Sequence, residues 1–373
     1  MLYLKRIVCV FAVLCLSFCL SLPFSAGAVS ATAAVVINGD TGDILYSRNA
    51  DVRLPMASTT KIMTAILLIE NCDDLDDELI TTREMVKVEG SSMGLLPGDR
   101  VSYRALLYGM MLSSGNDAAN TTAIAIGGSI GGFVDMMNAK AAELGLNNTH
   151  FATPSGLDAE GHYTTAAELA LLTAYALKNP VFAEAAAAKS ATLCFGNPPY
   201  RRTVKNHNKL LSMYNDVIGV KTGYTKKSGR CLVSAARQDG KYVIAVTLND
   251  GNDWADHRVL LDTGLAAIDV YEFTPPAATV SVPLVNGGAA EVLSNIGAAQ
   301  FCIPKGQSVT AVTCLPRFLY APVLKNEIIG SVDYYCSDRL VYRSNIIVQA
   351  DAQYKAAGVL LEIFEIFKYM FRS

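Results

Sequence analysis

The spacing of hydrophobic and polar positions changes character along the chain. Near the start, Ala34-Val35-Val36-Ile37, the turn Asn38-Gly39-Asp40-Thr41-Gly42 and Ile44-Leu45-Tyr46 predict a β-hairpin with a Gly-rich loop. Apolar residues then recur at helical spacing through Ile62, Ala65, Ile66 and Ile69. Further helix is predicted over 103–126, 131–144 and the Ala-rich 165–188. Strand patterning returns with Cys231-Leu232-Val233-Ser234-Ala235 and Tyr242-Val243-Ile244-Ala245-Val246. Strands, then helices, then strands predict an α+β fold, a helical block packed on a largely antiparallel sheet, over residues 29–270. Thr274-Pro275-Pro276 marks a boundary. Beyond it, short β runs such as Thr279-Val280-Ser281-Val282 and Ser308-Val309-Thr310-Ala311-Val312 predict a small all-β domain over 276–350.

Both ends carry a different pattern. Lys5-Arg6, the uncharged run Ile7 to Leu22 and the small residues Ala26-Gly27-Ala28 describe a cleaved secretory signal peptide, residues 1–28. At the other end, residues 351–373 predict an amphipathic helix. Glu362, Glu365, Lys368 and Arg372 share one arc, and Ile363, Phe364, Ile366, Phe367, Met370 and Phe371 fill the other; Leu361 breaks the pattern. Its charges recur too often for a spanning helix, so it is expected to lie in a membrane interface. The chain is expected to be exported and to work outside the cytoplasm.

Composition narrows the function classes. Of 373 residues, 51% are hydrophobic and 17% charged, which excludes a largely disordered chain. The formal net charge of −3 provides no basic face for nucleic acid. Six cysteines follow residue 28, without C-x-x-C spacing, and are expected to be mostly buried thiols. His150, His162, His207 and His257 show no zinc-ligand spacing, so no metal or cofactor is expected; His207 is the one placed near a site. Gly90-Ser91-Ser92-Met93-Gly94 matches a hydrolase nucleophile elbow, but Lys87-Val88-Glu89 makes a poor buried strand before it.

The candidate chemistry begins at Ser58-Thr59-Thr60-Lys61, where the first long helix starts. Three residues apart on a helix, Lys61 reaches the Ser58 hydroxyl. A serine needs such a base, and burial or nearby positive charge would make a lysine basic enough in its neutral form. Ser114-Gly115-Asn116 stands at a helix-to-loop junction, and Lys221-Thr222-Gly223 after an apolar strand pattern. The last offers a cation and a hydroxyl to a carboxylate, beside a glycine that admits close backbone approach. In this order the three match the S-x-x-K, S-D-N and K-T-G set, with Gly115 in place of the middle Asp.

On these motifs, together with Thr41-Gly42-Asp43-Ile44-Leu45-Tyr46 and Asn206-His207-Asn208-Lys209-Leu210-Leu211, the chain resembles the low-molecular-mass penicillin-binding proteins. These are D-alanyl-D-alanine carboxypeptidases of the serine DD-peptidase superfamily. The resemblance implies that Ser58 attacks the bond between two terminal D-alanines and that Lys61 is its base. It implies that Ser114 and Asn116 relay a proton and hold the peptide, and that Lys221, Thr222 and Gly223 form the carboxylate site. Backbone N–H groups of Ser58 and Tyr224 would form the oxyanion hole. Implied partners are peptidoglycan stem peptides ending in D-Ala-D-Ala, β-lactams as covalent inhibitors, and the outer face of the cytoplasmic membrane. The alternatives are a β-lactamase, an endopeptidase on the same scaffold, and a non-catalytic cell-wall binding protein. Against the first, neither Glu160 nor Glu168 shows an E-x-x-x-N pattern.

Overall fold

The computed structural model describes residues 29–275 and 279–355. The expected signal peptide lies outside them, as do residues 356–373 of the expected tail helix. The first strands are β1 (Ala33–Asn38) and β2 (Ile44–Arg48), followed by a 3-10 turn, Ala57–Thr60, that runs straight into helix α1 (Lys61–Glu70). Next come β3 (Glu78–Ile80), α2 (Arg83–Val86), β4 (Arg100–Ser102), α3 (Tyr103–Met111), α4 (Asn116–Gly127) and α5 (Ile130–Glu143). Helices α6 (Ala166–Ala176) and α7 (Pro180–Ala187) precede the hairpin β5 (Ser190–Gly196) and β6 (Pro199–Lys205). A short helix α8 (Leu210–Met213) leads to strands β7 (Val217–Thr225), β8 (Gly229–Gln238) and β9 (Lys241–Leu248), then helix α9 (Asp253–Ala266).

The central sheet has the order β2-β1-β9-β8-β7, antiparallel throughout. Its middle strands read as continuous apolar runs because both faces are covered. Val35, Ile37, Val233, Ala235, Ile244 and Val246 face the core shared with α1 and α3 to α7. Ala34, Val36, Leu232, Ala236, Val243 and Ala245 face Leu260, Leu261 and Leu265 of α9. An antiparallel sheet with one wet face would alternate instead. The α+β reading therefore holds, with helices on both sides of the sheet.

Two expected helices are interrupted. The span 103–126 breaks between α3 and α4, where Ser114 takes φ +58 and Gly115 caps α4. The span 165–188 breaks because Asn179 caps α7 through the N–H groups of Val181 and Phe182, with Pro180 at the first helical position.

Strand β10 (Ile268–Phe273) runs past residue 270, the expected end of the first unit, stops before Thr274-Pro275-Pro276, and pairs with a later strand, Ala299–Pro304. The remaining strands, from Thr279–Val285 to Arg339–Val348, build a six-stranded sheet with small cores of its own. Residues 351–355 continue this region rather than starting a helix, since Ala352 bridges Val323 and Tyr354 bridges Gly287. The β1–β2 turn is fastened to it: Asn38 donates to the Cys302 carbonyl at 2.8 Å, and the Cys302 N–H donates to Asp40 at 3.0 Å. The six described cysteines are free thiols; Cys231, Cys302 and Cys336 are buried, whereas Cys194 and Cys314 are exposed. No described helix is long and apolar enough to cross a membrane.

Candidate active site

The site forms where the start of α1, the start of α4 and the edge strand β7 meet. Ser58 belongs to the 3-10 turn, not to the α-helix proper. That tighter winding nearly eclipses positions i and i+3, so Ser58 and Lys61 point the same way. Lys61 Nζ lies 3.0 Å from Ser58 Oγ. It also donates to Asn116 Oδ1 at 2.7 Å and to the Ser155 carbonyl at 2.6 Å.

Electrostatics favour a neutral Lys61. The side chain is fully buried, and its pKa lies well below an ordinary lysine's, first through desolvation and second through the charge of Lys221. Asp117 works in the opposite direction. A neutral amine has two hydrogens and one lone pair. Asn116 Oδ1 and the Ser155 carbonyl can only accept, so they take the two hydrogens. The Ser58 hydroxyl alone among the three partners can donate, so the lone pair is left facing its proton. That arrangement is the one a serine nucleophile and its base require.

Sequence reasoning brought Ser58, Lys61, Ser114, Asn116, Lys221, Thr222, Gly223 and Tyr224 to one place, and the fold brings them together. Ser58, Ser114, Thr222, Gly223 and Tyr224 line one cleft of about 480 Å³. Lys61, Asn116 and Lys221 lie beneath its wall, all buried. Lys221 donates to the Thr222 carbonyl at 3.0 Å, and burial pulls its pKa down to about 7. Its charge acts from behind the strand. His207 also lines the cleft.

Gly223 has a geometric reason. A Cβ there would stand 3.1 Å from Ala57 Cβ, the Met56 carbonyl and the Ser58 nitrogen. Glycine lets β7 lie flush against the turn that carries Ser58. As the sheet's last strand, β7 pairs only with β8 within that sheet and turns its other edge to the cleft. An extended peptide can add to such an edge.

Several participants escaped the sequence reading. Asn116 is oriented by donating its amide to the Glu89 carbonyl at 2.7 Å. Asp117 accepts from Ser92 Oγ at 2.6 Å and from the backbone N–H groups of Met93, Gly94 and Leu95 at 2.9–3.0 Å. The stretch read as a rejected nucleophile elbow is thus a wall of the site, with Ser91 in the cleft. Opposite stand Arg230 and Trp254, the arginine paired with buried Asp253. Arg230 follows no motif, and only the register of β8 beside β7 reveals it, with Tyr224 opposite Arg230.

Residues 22–252 match the family model for D-alanyl-D-alanine carboxypeptidase, peptidase S11. The D-alanyl-D-alanine carboxypeptidase DacF of Bacillus subtilis is 38% identical over 220 residues, 58% of this chain and 56% of that protein. This chain therefore matches little more than half of that relative's length. DacC of Escherichia coli, also a D-alanyl-D-alanine carboxypeptidase, is 33% identical over 352 residues, 88% of this chain and 86% of DacC. Among solved structures, penicillin binding protein 5 from Haemophilus influenzae superposes with a TM-score of 0.65 at 27% identity, covering 87% of this chain and 98% of that one. By sequence and by fold alike, this chain belongs to the D-alanyl-D-alanine carboxypeptidase family, peptidase S11.

Proposed function

We propose that the protein is a serine-type D-Ala-D-Ala carboxypeptidase that removes the terminal D-alanine from peptidoglycan stem peptides. The observation that carries this reading is the 3.0 Å approach of a buried lysine with lowered pKa to Ser58 Oγ in an open cleft. Ser58 Oγ attacks the carbonyl carbon of the penultimate D-alanine while its proton passes to Lys61 Nζ. The developing oxyanion lies between the N–H groups of Ser58 and Tyr224. Collapse breaks the peptide bond; the departing amine takes a proton through Ser114, with Asn116 holding the peptide. Water then attacks the acyl-enzyme, with Lys61 again taking the proton, and frees Ser58.

Thr222 and Gly223 receive the terminal carboxylate, with the charge of Lys221 behind them. β-Lactams present a carbonyl and a carboxylate in a similar relation and acylate the same serine. The catalytic unit runs from residue 29 through β10, the all-β unit continues to residue 355, and residues 356–373 associate with the outer face of the cytoplasmic membrane after export and removal of residues 1–28.

The test is release of free D-alanine from a peptide ending in D-Ala-D-Ala by the parent and by Ser58→Ala. Release by the parent alone supports the reading. No release from folded parent protein that penicillin still acylates overturns it in favour of an endopeptidase or transpeptidase on this scaffold. Sustained turnover of penicillin identifies a β-lactamase.

A further inference from the structure

The turn that carries Ser58 is held in an unfavourable backbone conformation. Ala57, immediately before the nucleophile, has φ +47, a region L-residues other than Asn and Asp seldom occupy. Something must hold it there, because the Ser58 N–H and Oγ both take their positions from it. The carbonyl of Ala57 accepts from Thr60 Oγ1 at 2.8 Å, and Thr60 Oγ1 lies 2.8 Å from His162 Nε2. The donor roles follow from the other ring nitrogen. His162 Nδ1 accepts from the Ala152 N–H at 3.0 Å, so Nδ1 carries no proton. Nε2 therefore bears it and donates to Thr60 Oγ1, which hands its own hydrogen to the Ala57 carbonyl.

Thr60 and His162 are both buried. Desolvation and the nearby His150 hold His162 neutral, with a pKa of about 4, against the pull of Asp158. The loop that bears His162 is pressed onto the same turn. At Gly156 a Cβ would fall 1.9 Å from the Ala57 carbonyl oxygen. Ser155 gives its carbonyl to Lys61, and Pro154 accepts from Thr64 Oγ1 at 2.6 Å.

We propose that His162 is a positioning residue for catalysis: through Thr60 it locks the left-handed Ala57 and so fixes Ser58 against Lys61 and the oxyanion site. This rests on the reading of Ser58 as nucleophile. His162 touches neither substrate nor Ser58, so its loss should slow acylation and leave initial binding largely intact.

The experiment measures the acylation rate constant and the preceding non-covalent dissociation constant for a fluorescent penicillin. The variants are His162→Phe, His162→Gln, Thr60→Val, Thr60→Ser and His162→Phe/Thr60→Val, each with a thermal melt. We expect His162→Phe and Thr60→Val each to cut acylation by about 10- to 100-fold, with the dissociation constant changed less than about threefold. Gln at 162 and Ser at 60, which keep the donor and the hydroxyl, should recover most of the rate. The double variant should be no slower than the worse single one, since both break one chain. Parent-like acylation in folded His162→Phe overturns the proposal, as does multiplicative slowing in the double variant. Should His162→Phe fail to fold, Thr60→Val and Thr60→Ser decide from the other end of the relay. If Ser58→Ala were itself acylated, the nucleophile assignment would fall instead, which keeps the two failures apart.

Discussion

Asn116 presents its amide oxygen to Lys61, at 2.7 Å, because its nitrogen is committed to the Glu89 carbonyl at 2.7 Å. The orientation matters more than the contact. An amide nitrogen facing Lys61 would compete for the lone pair that Ser58 needs, whereas an oxygen occupies one amine hydrogen and leaves the lone pair free.

Exchanging that oxygen for a charge tests the idea. Asn116→Asp puts a carboxylate against Lys61 and raises its pKa, so less neutral amine exists at pH 7. The acid limb of the pH profile of kcat/KM should move to higher pH, with activity partly regained above about pH 9, near the ordinary lysine range. Asn116→Leu should instead lower the rate at every pH without moving the limb. A profile for Asn116→Asp that overlays the parent's would show that Lys61 is not the titrating base.

Lys221 couples activity to stability. Its pKa is about 7 when folded, against an ordinary 10.5. Between those values the unfolded chain holds more protons than the folded one, so this lysine adds stability as pH rises and costs stability as pH falls toward 7. Lys221→Met should therefore melt several degrees above the parent at pH 6, with the gap closing by about pH 10.5. The same variant should lose substrate turnover, since the charge behind Thr222 and its depression of Lys61 are both gone. Parallel melting curves across pH would contradict the burial of a charged Lys221.

Gly156→Ala should be among the most destabilising single methyl additions in the chain. The new Cβ would overlap the Ala57 carbonyl, and φ is already +86. A loss of about 2–4 kcal/mol in urea unfolding is expected, from steric overlap plus backbone strain. A loss under about 0.5 kcal/mol, the level of a neutral surface change, would mean that the loop is not seated on the turn.

Asp117→Ala should free the 92–95 stretch. Five donors converge on this carboxylate, four of them backbone N–H groups, those of Met93, Gly94, Leu95 and Ala118. Charge-assisted bonds of this kind contribute roughly 1.5–3 kcal/mol each when singly removed, though not additively. Amide hydrogen exchange at Met93, Gly94 and Leu95 should accelerate strongly, and penicillin acylation should fall as the cleft wall loosens. Unchanged exchange at those three amides would count against the anchor.

How much of this was legible in the sequence depends on the distance over which each feature is determined. Ser58 with Lys61, and Ser114 with Asn116, are local pairs whose spacing already implies a shared face or junction. Asn179-Pro180 was equally local, a cap followed by a first-turn proline, and would have split the 165–188 helix had it been read. The carbonyls of Glu89 and Ser155 left no trace, because every residue has a carbonyl and only the fold decides where it points. Burial of Lys221 was illegible for another reason: its charge suggests exposure, and only the packed sheet shows that it is covered. Nothing in the sequence sets His162 apart, because only its two ring partners, brought to it by the fold, fix its tautomer.

The two glycines that face Ala57 bear on how such a protein can change. Gly223 and Gly156 approach that residue from strand and loop, and neither has a side chain to fill the space between. A saturation library scored by penicillin capture should find these positions admitting almost one residue each, while Tyr224, exposed on the cleft rim, accepts many. Resistance or altered selectivity would then arise at the rim and almost never at the socket. The strictest bottleneck to diversification is a space that has to stay empty.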